Sequence, residues 1–119
     1  MTIVTGLIVL LVALLHVYFL ILEMFLWDKP AGLKAFAQTK EQASNTKVLA
    51  ANQGLYNGFI AAGLLWGVIQ GSDGYDFKVF FLSCVIVAGV YGAMTASRKI
   101  LFVQAAPGLL GLLLVIVSS

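Results

Sequence analysis

An all-α, four-transmembrane-helix bundle is the fold class this sequence predicts, on three observations. Apolar residues make up 61% of the chain and charged residues only 10%, whereas soluble domains average about 25% charged. The apolar residues fall into four runs, near 3–27, 48–70, 77–96 and 100–117, each close to the roughly 20 residues a helix needs to cross a bilayer. Most of the charges, Pro30 and the turn glycines fall in the breaks between the runs. At 119 residues the chain reads as a single membrane domain, because a soluble fold of that size could not hide so much apolar surface. No basic stripe offers a surface for nucleic acid.

The first run lacks a positively charged leader and a small-residue cleavage signal, so it is expected to be retained as a span. Asp28-Lys29-Pro30 stops it, and Trp27 stands where an interfacial aromatic belongs. His16 and Glu23 lie inside it, seven residues apart. At 100° per residue they share one face within about 20°, separated by about 10 Å along the axis.

Residues 28–47 form the long polar segment, with Lys29, Lys34, Lys40 and Lys47 set against Asp28 and Glu41. Leu33, Phe36 and Ala37 recur there at helical spacing, which predicts a short amphipathic helix in the headgroup plane. Ser44, Asn45 and Thr46 are the expected N-caps of the second span, which ends at the turn Gly71-Ser72-Asp73-Gly74. The third span closes at Arg98 and Lys99. In the fourth, Pro107 leaves the Val103 carbonyl without its helical donor, so a bend is expected beside Gln104.

The basic residues set the topology. Loops one and three hold Lys29, Lys34, Lys40, Lys47, Arg98 and Lys99, against Lys78 alone on the other side. That asymmetry places the basic loops in the cytoplasm and both termini outside it, in a multi-pass protein of the cell's inner (plasma) membrane. Cys84, in an apolar run with no basic neighbour to lower its pKa, reads as a packing residue.

The stretch Asn52-Gln53-Gly54-Leu55-Tyr56-Asn57 is the anomaly, since each unsatisfied polar group in hydrocarbon costs several kcal/mol. Asn52, Gln53, Tyr56 and Asn57 cover an arc of about 140° on one helix face. Glu23, Asn52 and Gln104 each lie five residues inside a cytoplasmic boundary residue, which is roughly 7 Å deep. Tyr91 and Thr95 reach the same layer from the third span, with His16 deeper. Two small-residue series, Gly54, Gly58, Ala62 and Ala88, Gly92, Ala96, have the spacing that lets helices approach closely. The expectation is a polar inner-leaflet pocket. Glu23 and His16 are its candidate acid and base, and Asn52, Gln53, Tyr56, Asn57, Tyr91, Thr95 and Gln104 its binding residues. Glu23 alone could instead pair with a loop lysine, and His16 alone is a packing residue. One histidine and one acid are too few for a metal site, and no nucleotide or nucleophile motif is present, so no cofactor is expected.

Four segments carry a resemblance: Glu23 to Trp27 with Asp28-Lys29-Pro30, Asn52 to Gly58, Ala88-Gly89-Val90-Tyr91-Gly92-Ala93, and Gln104-Ala105-Ala106-Pro107. Together they resemble the small prokaryotic integral-membrane family known as domain of unknown function 1304. The resemblance covers essentially the whole chain, and the amide-rich stretch is its most specific part. It implies the four-span architecture and the importance of these motifs, and it assigns no activity.

Three functions compete on the sequence. One is a pocket that binds or transforms a small lipophilic molecule by acid/base chemistry among membrane lipids. A second is a small proton-coupled exporter of the multidrug type. The charge bias argues against an antiparallel dimer for it, while a parallel homo-oligomer is compatible. The third is a structural or accessory membrane subunit, in which the polar layer only joins helices.

Overall fold

A computed structural model describes residues 2–118, and every regular element among them is helical. The order is α1 (Ile3–Met24), α2 (Pro30–Ala35), α3 (Lys40–Ile69), a 3₁₀ turn (Gly71–Gly74), α4 (Tyr75–Thr95), a π-helical segment (Leu101–Ala105) and α5 (Ala106–Val117). Two helices among the described residues are long and apolar enough to cross a membrane, Ile3–Met24 and Gly71–Thr95, and Leu101–Val117 is a shorter apolar helix. The amides of its middle keep α3 from the same apolarity.

The helices turn their large apolar side chains outward. On α1 the exposed positions Val4, Leu7, Leu11, Leu14, Tyr18 and Ile21, followed by Phe25 just past its end, recur every three or four residues, while Thr5, Val9, Val12, His16 and Glu23 are buried on the opposite face. On α5 the leucines at 109, 110 and 113 are exposed and Gly108, Gly111 and Val115 are buried. A water-soluble helix has the reverse arrangement.

The chain divides into two compact units, one of Met1–Leu14 with Ile60–Ser119 and one of Leu15–Phe59. In the first, Val9, Val12, Ala13, Leu64, Leu82, Val85 and Val115 form the core. Gly89 lets α4 close on the π-helical segment, since a Cβ there would meet the Ala105 backbone nitrogen at 2.6 Å. The Ala106 amide donates to the Leu101 carbonyl, five residues back. This wider turn immediately precedes Pro107, so the disturbance expected beside Gln104 takes the form of a π turn. Thr5 Oγ1 donates to Ser118 Oγ at 3.3 Å and pairs with Thr2 Oγ1 at 2.8 Å, bringing the start of α1 beside the end of α5.

Lys78 is 1% exposed and its ammonium donates to the Gly71 carbonyl just beyond the end of α3. Gly71 takes the left-handed conformation (φ 61°) that turns this carbonyl out of the helix. Lysine at a helix C-terminus also complements the negative end of the helix dipole. The lysine counted in the sequence as a loop charge is therefore a buried structural group.

In the second unit α3 starts earlier than its apolar span. Thr39 and Gln42 cap it reciprocally: the Thr39 amide donates to Gln42 Oε1 at 2.9 Å and the Gln42 amide to Thr39 Oγ1 at 3.1 Å. Ser44, Asn45 and Thr46, the expected caps, lie inside the helix. The amphipathic helix expected in 28–47 is limited to α2. It ends in a Schellman closure, with the Gln38 amide on the Leu33 carbonyl at 3.1 Å and Ala37 in the left-handed region (φ 49°).

Candidate functional site

The residues the sequence singled out are distributed over both units. In the second unit, Asn57 Nδ2 of α3 donates to Glu23 Oε1 of α1 at 2.5 Å, with both side chains buried. The two backbones can approach because α3 presents glycine to α1. A Cβ on Gly54 would meet Met24 Cγ at 2.6 Å and Glu23 Cβ at 3.1 Å, and one on Gly58 would meet Leu20 Cδ1 at 2.7 Å.

The small-residue seam differs from the expected one. Gly54, Asn57, Ala61 and Leu64 are buried along α3, and Ala62 is exposed. On α4 the buried series is Lys78, Leu82, Val85 and Gly89, while Ala88 and Ala96 are exposed.

The other candidates have separate settings. His16 is fully buried, engaged, and edge-on to Phe19 with ring centroids 5.4 Å apart. Two helical turns, about 10 Å of rise, separate it from Glu23. Asn52 is exposed and donates to the Val48 carbonyl of its own helix at 2.9 Å. Tyr56 is exposed beside Phe59.

Tyr91, Thr95 and Gln104 belong to the first unit. Thr95 Oγ1 donates to the Tyr91 carbonyl at 2.7 Å, and Gln104 is half-buried and engaged in the π-helical segment. Ser83 repeats the pattern of Asn52 and Thr95, donating to the Val79 carbonyl at 2.7 Å. A polar side chain bonded to the carbonyl four residues back satisfies itself within its own helix, which suits apolar surroundings. A shallow apolar groove runs along α4, lined by Phe80, Ser83, Cys84, Val87, Ala88 and Tyr91.

Chemically, Glu23 is the centre of the site. A carboxyl group has about four hydrogen-bonding positions, and Asn57 leaves capacity for a further donor. Among the described residues no three His, Cys, Asp or Glu side chains are grouped to hold a metal ion.

Sequence reading missed Lys78, whose signal was the set of glycines at 67, 71 and 74 around it. It also missed the hold on Trp27, in the turn after α1, whose indole donates to Thr46 Oγ1 of α3 at 3.1 Å.

A family model described as protein of unknown function (DUF1304) matches residues 10–116. The chain is also similar to the uncharacterised protein YpaA of Lactococcus lactis subsp. lactis (strain IL1403). The two are 33% identical over 115 residues, covering 95% of this chain and 97% of that protein. No solved structure matches it.

Proposed function

We propose, for a chain that belongs to the DUF1304 family, a four-span membrane protein in which the Glu23–Asn57 pair anchors the polar end of a small lipophilic molecule. One observation carries this reading. A carboxyl group is buried on the inward face of a helix whose outward face is a continuous apolar stripe, and the group that holds it is a neutral amide, not a cation. An ionisable residue in such a place is costly, and the cost is commonly offset by function.

α3 and the segment Leu101–Val117 complete the four spans with the two longer apolar helices. The hydroxyl contact between Thr5 and Ser118 supports placing both termini on one side of the membrane, and the basic loops favour the cytoplasm for the other. The exposed Asn52, Gln53 and Tyr56 are the groups a molecule meets first, and Glu23 receives its polar end. His16 is the second titratable group on the same face of α1. An acid and an imidazole about 10 Å apart along one helix suit proton exchange with a bound molecule and require no cofactor.

A second reading, in which Glu23–Asn57 is only an interhelical clasp, is favoured by the direct bond between the two groups and by Asn52 and Thr95 being satisfied within their own helices. Glu23→Gln separates the two, because glutamine keeps an acceptor for Asn57 and removes the acid. Protein purified in mild detergent is extracted and its small lipophilic molecules compared by mass spectrometry. A species retained by the wild type and lost from Glu23→Gln supports the site. The same species at the same level in both leaves the clasp.

A further inference from the structure

The segment joining α1 to α3 is too well fixed to be a simple connector. Gly32 of α2 sits directly on the Leu26 and Trp27 carbonyls, so close that a Cβ would collide with them. The Trp27 ring packs on Phe36 with centroids 4.7 Å apart, while its indole N–H is held by Thr46 of α3. α2 is thereby pinned both to the end of α1 and to the first turns of α3.

Its charges are sorted as well. Lys47 Nζ meets Asp28 Oδ2 at 3.1 Å, and that ammonium holds the Asp28 carboxyl below its usual range. With Asp28 occupied, the segment presents Lys29, Lys34 and Lys40, all exposed, against the single acid Glu41. Phe36 is partly exposed beside them. Cations and an aromatic edge on a rigid shelf at the end of a span complement a phosphodiester headgroup above its acyl chains. Neither a free phosphate nor a nucleic acid would use the apolar edge.

We infer that Lys29, Lys34 and Lys40, with Trp27 and Phe36, form a recognition surface for anionic phospholipid headgroups. The inference rests on the membrane reading proposed above and is independent of any ligand at Glu23. Each lysine close to an anionic surface contributes on the order of a fivefold preference, so three give a measurable selection among lipids.

The chain has two tryptophans, and Trp66→Phe leaves Trp27, on the shelf itself, as the fluorescent reporter. The full chain carrying this change is reconstituted in phosphatidylcholine vesicles that contain either brominated phosphatidylglycerol or brominated phosphatidylcholine at equal mole fraction. Brominated phosphatidylglycerol is expected to quench Trp27 several-fold more effectively. Adding Lys29→Gln, Lys34→Gln and Lys40→Gln together should bring the two lipids to equality, and the corresponding three arginine substitutions should keep the preference. Equal quenching by both lipids, or a preference that survives the glutamine substitutions with helicity intact, overturns the inference. Failure to float with the vesicles instead removes the membrane reading, and this inference with it.

Discussion

Asn57 Nδ2 donates to Glu23 Oε1 across 34 residues of sequence, joining α3 to α1 where the two side chains are 9% and 4% exposed. An interhelical hydrogen bond in a membrane protein is worth only about 0.6 kcal/mol on average. Stranding a buried carboxyl costs about 1–3 kcal/mol. Asn57→Leu is therefore expected to destabilise by more than the bond itself is worth, and Glu23→Leu/Asn57→Leu to recover part of the loss. Unfolding in mixed micelles measures both, and strict additivity of the two single effects contradicts the pairing.

The close approach that permits this bond depends on Gly54. Gly54→Leu must displace Met24 and the Glu23 stem, at a cost of about 1–3 kcal/mol. Ala62→Leu, at an exposed position of the same helix, should stay within about 0.5 kcal/mol. The same unfolding series compares them, and equal effects would place the contact seam elsewhere.

Lys78 should behave as a structural group. Lys78→Met removes the donor to the Gly71 carbonyl and is expected to destabilise by about 1–3 kcal/mol. Hydrogen exchange should rise at the end of α3 and in the following turn. A variant as stable and as protected as the wild type would return Lys78 to the status of a loop charge.

The Asp28–Lys47 pair has a definite pH signature. Because Lys47 holds the Asp28 carboxyl below its ordinary range, the pair's stabilisation is present above the unfolded carboxyl's pKa. It is lost as pH falls through the lower, folded value. A carbon-detected NMR titration of the Asp28 carboxyl should give a midpoint below the ordinary aspartate range, moving back into it in Lys47→Gln. An unchanged midpoint in that variant removes the pair.

Much of the helix plan was legible in the sequence, because apolar runs and the polar breaks between them report where helices run and turn. The start of α3 was not. Hydropathy marks the part of a helix that meets apolar surroundings, whereas the helix itself continues through Lys40–Lys47 to the Thr39–Gln42 cap.

The seams were misplaced for a geometric reason. Counting every fourth residue drifts about 40° per step from a 3.6-residue repeat, so Ala62, Ala88 and Ala96 fall off the buried face. Glu23, His16 and the α3 amides were legible as candidates because ionisable and amide side chains are conspicuous in apolar runs. Which of them would turn to their own helix, as Asn52 and Thr95 do, depends on a rotamer and a free carbonyl that composition does not encode.

The reactivity of Glu23 itself is the most direct test of a ligand there. Native membranes, delipidated protein, and delipidated protein to which the organic extract has been returned are treated with a membrane-permeant carbodiimide, and modification is read by peptide mass spectrometry. A carboxyl that holds a bound molecule is shielded until the molecule is removed. Modification of Glu23 should therefore rise several-fold on delipidation and fall when the extract is restored, with the exposed Glu41 unchanged throughout. Equal modification of Glu23 in all three preparations would contradict a ligand at that site.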